Sequence, residues 1–420
     1  MATGISYKNI EYLESLKNSK KPGLDNLLKV LQLLGEPQSK LKKTIIVSGT
    51  NGKGTVAAIL NRIYSDAGYK VGLYTSPHLV SLNERIRIKD KKINLKTLNN
   101  YLGKVIKVGL KARCKLSFFE LLTATGILYF AERNNDLNIF EVGLGGRFDA
   151  TNIVKSKIGI ITNIEMDHME YLGNSLKEIA YEKVGIVNNN SKLITSVKPK
   201  TIKTIRKYCL ENSTEVFELN NNFNIVKKDK YYVYESEELK LKFQSILEAN
   251  HQVENLGVAV KTSEIIKKEY GLEITKKQLK ESLNKAFNPA RYQTISKKPI
   301  LIVDVSHNLH SIKSLIVNFR IKYPNKKINI IIGMLKEKKP IECIRLLSKI
   351  AKKIYLTEVP NPRSFNPFVI TKKLRDKKIS HISNNDIRSL LANQEDFIIT
   401  GSIYLIGSLI AKRYVKVKIN

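Results

Sequence analysis

The chain has 420 residues, 42% of them hydrophobic, enough for two or three domains with sizeable cores. Its net charge is +34, but the lysines are scattered among Asn and Ile along nearly every segment. No basic arm or basic-aromatic module stands out, so nucleic acid is not the expected partner, although the field would gather ATP and acidic ligands.

The N-terminal stretch MATGISYKNIEYLESLKNSKK has no continuous apolar run after its charges, so a secretory signal is not expected. The longest uncharged run, Phe397 to Ala411, is too short for a bilayer span and is broken by Gly401, Ser402, Gly407 and Ser408. It reads as strand, turn and helix start. Cys114, Cys209 and Cys343 are far apart and in no CxxC spacing, which argues against a disulfide framework or a structural zinc site. A cytoplasmic protein is expected.

Short apolar, β-branched runs alternate with amphipathic Lys-rich stretches, the pattern of parallel strands joined by crossover helices. The fold class is α/β. Strands are predicted at Thr44 to Ser48, Lys70 to Tyr74, Leu137 to Val142 and Ile158 to Ile164, each followed by a loop bearing Gly, Ser or Asp. Loops at strand C-termini are where open parallel sheets bind ligands. Residues 220–243 read as a small antiparallel side sheet, and alternation restarts with PILIVDV, INIIIGML, KKIYLTEV and DFIITGSI. A large ATP-binding domain over 1–295 and a smaller α/β domain over 296–420 follow.

The clearest motif joins the first strand to Gly49-Thr50-Asn51-Gly52-Lys53-Gly54-Thr55 and then to a helix. Small residues let backbone N–H groups wrap phosphate oxygens, the helix offers its positive end, Lys53 neutralises charge and the Thr55 hydroxyl can reach phosphate or a metal. Gly54 separates lysine from hydroxyl, so the standard nucleotide-hydrolase pattern is not matched. Further on, Glu141 ends a strand before the glycine-rich loop carrying Arg147 and Asp149. A carboxylate there suits magnesium, with Ser76 of YTSPHL and His168 of NIEMDHMEYLG as companions, His168 being the less usual ligand. Lys183 looks like one more solvated lysine.

These loops, in this order, resemble the folylpolyglutamate synthase/dihydrofolate synthase branch of the Mur ligases. GTNGKGT, LYTSPHLVSLNERIRI, SFFELLTATGILYF, EVGLGGRFDATNIV, HQVENLGVAV, NPARYQ, DVSHNLHS and TGSIYLIG all look like family blocks. The resemblance implies magnesium-dependent ligation of L-glutamate to dihydropteroate, to folates, or to both, through an acyl phosphate. It implies that Asn51, Gly52, Lys53, Gly54 and Thr55 bind ATP phosphates, and that Asn255, Arg291 and Asp304 contact the nucleotide. Ser76, Glu141 and His168 would hold two magnesium ions together with a carbamylated Lys183, and a monovalent cation is compatible. Lys53, Lys183, His168 and His307 are the expected catalytic groups. The pterin falls to Phe118, Phe119, Glu120 and Leu121 with Phe148, Asp149 and Ala150, and glutamate to His307 and Ser402.

Three departures from the family pattern stand out. Thr55 stands where the loop usually has serine, Leu309 replaces a proline after Asn308, and Ala290 replaces a glycine before Arg291. A monomer acting on small molecules, without nucleic acid or membrane, is expected. The alternatives are a related amide ligase acting on another carboxylate and a basic ATP-binding protein associated with RNA.

Overall fold

A computed structural model describes residues 7–16, 24–247 and 249–417. They fall into two compact units, one reaching Leu247 and including Gln252–Phe287, the other holding 249–251 and the residues from Asn288 onward.

The first unit is built on eight strands, β1 (Thr44–Ser48), β2 (Val71–Tyr74), β3 (Ile86–Ile88), β4 (Lys91–Lys92), β5 (Leu137–Glu141), β6 (Ile158–Ile161), β7 (Lys192–Thr195) and β8 (Glu215–Glu218). Their order is β4-β3-β2-β5-β1-β6-β7-β8, parallel from β2 to β8 and antiparallel at β3 and β4. Every residue of β1, β2, β5 and β6 is buried, as a parallel strand covered on both faces requires. The strand predicted at Ile158 to Ile164 is observed over Ile158–Ile161, and just beyond it the Thr162 side chain donates to Asn51 O at 2.6 Å.

The side sheet is also present, as β9 (Phe223–Lys228), β10 (Tyr231–Ser236) and β11 (Lys240–Phe243), antiparallel throughout. Alternate residues of β10 face the core, Tyr232 and Tyr234 among them. Glu264, on the long helix Asn250–Tyr270, accepts from Tyr234 Oη at 2.7 Å, Ser236 Oγ at 2.9 Å and Lys261 Nζ at 2.7 Å. This buried pair, with side chains 5% and 7% exposed, ties the side sheet to the helix that carries Asn255. Removing one member strands the other's charge in the interior. Lys261→Met is therefore expected to destabilise the first unit by about 3 kcal/mol in urea denaturation, with Glu264→Gln in the same chain restoring most of the loss.

The second unit holds β12 (Gln293–Lys297), β13 (Ile300–Val303), β14 (Ile328–Ile332), β15 (Ala351–Leu356), β16 (Ile379–His381) and β17 (Phe397–Thr400) in the order β12-β13-β17-β14-β15-β16. All are parallel except β12, which forms a hairpin with β13. Its core is dominated by isoleucine, with Phe319, Met334 and Cys343 fully buried. The run from Phe397 resolves, as expected, into a strand, a turn at Gly401 with φ +105°, and the helix Ile403–Ala411.

Candidate active site

The phosphate loop of the first unit leaves β1 and enters the helix Lys53–Asp66. Gly49 has φ +141° and Gly52 φ +89°. A side chain at Gly49 would overlap Thr162 Oγ1, and a Cβ at Gly52 would lie 2.5 Å from Asn255 Oδ1. Both glycines are thus required by backbone conformation and by close approach. Neighbouring strand-end loops hold the loop: Thr50 N donates to Asn163 O at 2.9 Å, Asn51 N to Asn163 Oδ1 at 2.8 Å, and Ser48 Oγ to Gly145 O at 2.7 Å.

Two amines converge on one carbonyl. Lys53 Nζ donates to Gly49 O at 3.0 Å and to Thr50 O at 3.3 Å, and Lys183 Nζ donates to Gly49 O at 2.9 Å. Lys183 sits near the end of the helix Leu176–Val184 and is 4% exposed. Burial, and then the Lys53 charge, pull its amine from 10.5 down to about 7, against Asp167 and Asp149. An anion in the loop would relieve the repulsion between these amines.

Glu141 ends β5 beside Val47 of β1 and is 5% exposed. Its Oε2 accepts from Ser76 N at 3.0 Å, and a Cβ on Gly54 would lie 3.3 Å from both carboxylate oxygens. Glu141, Ser76 and the phosphate loop therefore share one locus. Thr55, in the first turn of the loop's helix, is also buried. The set is made of hard oxygens, which fits magnesium, an ion that needs few protein ligands. His168 begins a short helix with φ +51°, its side chain 41% exposed and its Nε2 3.9 Å from Asp167 Oδ1.

The residues expected around a pterin divide by environment. Leu121 is core, and Glu120 closes a capping box, its Oε2 accepting from Ser117 N at 2.7 Å. Phe119 packs edge-on to Tyr74, ring centroids 6.0 Å apart, and a Cβ on Gly143 would meet it at 2.6 Å. The Asp149 carboxylate is buried and accepts from Leu144 N at 2.9 Å and from Thr151 N at 3.0 Å. Burial raises its carboxyl against those bonds. Ala150 is buried beside it, whereas Phe148 is 52% exposed.

Phe118 is half-buried and carries the Arg85 guanidinium 5.2 Å over its ring. Arg85 Nε donates to His78 Nδ1 at 3.0 Å. Burial and then Arg85 press the His78 imidazole down to about 4. Sequence reasoning misses this pair, because the spacing of His78 and Arg85 in SPHLVSLNER gives no periodic signal that they meet.

In the second unit, Asp304 Oδ2 accepts from Tyr292 N at 2.6 Å and Oδ1 from Ser306 N at 2.8 Å. Burial first, and then Arg291 and His310, push the His251 imidazole below its ordinary range, with Asp304 opposing. β13 and β17 lie side by side, so the loops bearing His307 and Ser402 leave the same edge of the sheet. His307 Nδ1 is 3.0 Å from Val305 O, and Ser402 caps the following helix through Oγ, which accepts from Tyr404 N at 3.1 Å. Asn308 caps the helix Leu309–Lys322, accepting from Ser311 N at 2.9 Å. Leu309 thus occupies the first helical position, where proline is merely one well-suited residue.

Ala290 is a different matter, being fully buried with φ +56°. A left-handed alanine costs roughly 1–2 kcal/mol, about what a glycine there would forfeit in chain entropy and buried methyl. Ala290→Gly is therefore expected to leave stability unchanged. Ala57→Gly, at an equally buried position inside the helix Lys53–Asp66, should cost about 1.5–2 kcal/mol by the same chemical denaturation.

Residues 47–262 match the Mur ligase middle domain and residues 290–402 the Mur ligase glutamate ligase domain. The dihydrofolate synthase/folylpolyglutamate synthase of Bacillus subtilis is 31% identical over 418 residues, covering 94% of this chain and 95% of that protein. The crystal structure of folylpolyglutamate synthase from Thermotoga maritima aligns with a TM-score of 0.85 at 29% identity, over 99% of this chain and 98% of that one. E. coli FolC in complex with DHPP and ADP aligns with a TM-score of 0.88 at 25% identity, over 98% of each chain.

Proposed function

This chain belongs to the dihydrofolate synthase/folylpolyglutamate synthase family of Mur ligases, and from that premise we propose that it joins L-glutamate to dihydropteroate, to reduced folates, or to both, at the expense of ATP. The observation that carries this reading is the convergence of Lys53 and Lys183 on the Gly49 carbonyl, with the Glu141 carboxylate against Gly54 of the same loop. Paired cationic and anionic groups of this kind suit a phosphate chain and its counter-ion.

The chemistry has two stages. An acceptor carboxylate oxygen attacks the γ-phosphorus of ATP, ADP leaves, and an acyl phosphate forms. The amine of L-glutamate then attacks the carbonyl carbon, the bond to phosphate breaks, and the amine's proton departs. Phosphate leaves where oxide could not. The phosphate loop would hold the transferring group through its backbone N–H groups and Lys53, placing charge where charge develops without reorganisation.

Glu141, Ser76, Thr55 and His168 would hold magnesium, which when bound would neutralise phosphate charge. Lys183, with its amine shifted toward the neutral form, would add to carbon dioxide, releasing a proton and leaving a carbamate in place of an ammonium. A carboxylate-like group at that position suits a second metal ion.

In the second unit, the Val305 carbonyl favours the His307 tautomer with its proton on Nδ1. In that tautomer Nε2 is the acceptor nitrogen, and it would hold the glutamate ammonium or take its proton. Ser402 at the adjacent strand end would hold a glutamate carboxylate, and Arg291 and Asp304 would contact the nucleotide. Phe118 and Phe148 would flank the pterin.

Among the described residues no helix is long and apolar enough to cross a membrane. All three cysteines are free and buried. We place the enzyme in the cytosol as a monomer working on small molecules.

The test is to supply dihydropteroate or tetrahydrofolate separately, with magnesium, ATP and labelled L-glutamate, and to resolve the products. ADP should appear only when acceptor and glutamate are both present. No glutamylated product from either acceptor would defeat the reading.

A further inference from the structure

A cleft of about 750 Å³ opens at the edge of the second unit's sheet opposite to His307 and Ser402. It lies where β12 turns into β13 through Lys298 and Pro299, where β14 begins, and where Glu395 and Asp396 lead into β17. One strand length of four residues, about 13 Å at 3.3 Å per residue, separates it from the edge assigned to glutamate. The cleft therefore lies apart from that site.

Five lysines line it, at 297, 298, 326, 327 and 352, against two carboxylates. Both carboxylates are already engaged twice. Asp396 takes the Ile300 N–H at 2.6 Å and Lys326 Nζ at 2.7 Å, and Glu395 takes Asn329 Nδ2 at 3.0 Å and Lys352 Nζ at 3.0 Å. The lining keeps three positive charges in excess, the difference between five lysines and two acids. Lys297 and Lys298 contribute two of them, exposed at the hairpin turn.

The surface shows by example what it pairs with, since its two acidic members are carboxylates gripped by lysine. None of the lining residues is aromatic, so a nucleic acid would find charge but no stacking platform. A flexible chain bearing one carboxylate per unit matches both the charge and the shape of an open cleft.

We propose that this cleft is a second binding site that takes the oligo-γ-glutamate chain of long-tailed folates, three of its carboxylates meeting the three excess charges. The proposal rests on the glutamate ligase reading above. Such a site holds the tail of a product away from the ligation edge and lengthens the residence of polyglutamylated acceptors over that of monoglutamates.

The test uses the full chain and a fluorescent γ-linked pentaglutamate with no pterin, titrated by anisotropy without ATP at low and at about 0.15 M salt. Wild type should bind it, more weakly at the higher salt. Lys297→Glu with Lys298→Glu should weaken binding at least tenfold while leaving turnover of a monoglutamyl acceptor unchanged, which also shows that the variant folds. Equal binding by both proteins overturns the proposal. So does an oligouridylate of equal charge that binds wild type as tightly as the pentaglutamate does. Loss of ligase activity in wild type would defeat the folate reading instead, and the peptide titration separates the two failures because it needs neither ATP nor pterin.

Discussion

Lys53→Ala is expected to lower kcat for ADP release by about a thousandfold with the protein still folded, the scale on which a single preorganised charge acts in acyl and phosphoryl transfer. The bonds the Lys53 ammonium makes to the Gly49 and Thr50 carbonyls stay within its own loop. The loop itself is anchored independently, by Asn163 on Thr50 and Asn51 and by Thr162 on Asn51. Removing the amine should therefore leave the thermal midpoint within a few degrees of wild type. Lys53→Arg should recover little, because a planar fork does not replace a point charge that reaches over a tight glycine turn. A variant that kept a tenth of wild-type kcat would show that the loop's backbone N–H groups suffice and that Lys53 is incidental.

Much of the frame is legible in the sequence because parallel strands bury both faces. Ile45, Ile46 and Val47, or Ile158 to Ile161, are apolar runs that no amphipathic helix would carry. The edge strands escape for the opposite reason. Gln293–Lys297 and Ile379–His381 are short, polar and half-exposed, so neither carries a period to read. In the site, Lys53 announces itself through the glycines around it, whereas Asn163 and Thr162, which shape the loop from the next strand end, look in sequence like ordinary turn residues. The contact Glu120 makes with Ser117 is legible, since a serine three residues before a glutamate spells a capping box. Lys183 is the extreme case. In LKEIAYEKV it occupies a helical position like that of any surface lysine, and only the packing of that helix against the glycine loops buries it, Gly146 approaching the Lys183 carbonyl so closely that a Cβ would lie 2.7 Å away.

That burial makes Lys183→Met the second informative substitution, with effects of opposite sign on stability and on activity. An amine lowered from 10.5 to about 7 binds its proton less tightly in the folded chain than in the unfolded one. The unfolded chain holds the extra proton between those two values, so stability rises with pH across that window and the full penalty is present below about pH 7. At about 1.4 kcal/mol per unit, the penalty near neutrality is roughly 4–5 kcal/mol. Methionine removes the charge and keeps most of the volume. It gives up one hydrogen bond to Gly49 O, worth about 1–2 kcal/mol. The metal-free protein in bicarbonate-free buffer at about pH 7 should therefore gain about 2–4 kcal/mol, seen as a rise of several degrees in Tm, and the gain should shrink as pH is raised toward about 10. Activity should fall at least a hundredfold and should not respond to bicarbonate, whereas wild type should be stimulated by it. A less stable Lys183→Met protein would refute the buried-charge account, and an unmodified amine found in the active wild-type enzyme would refute the carbamate.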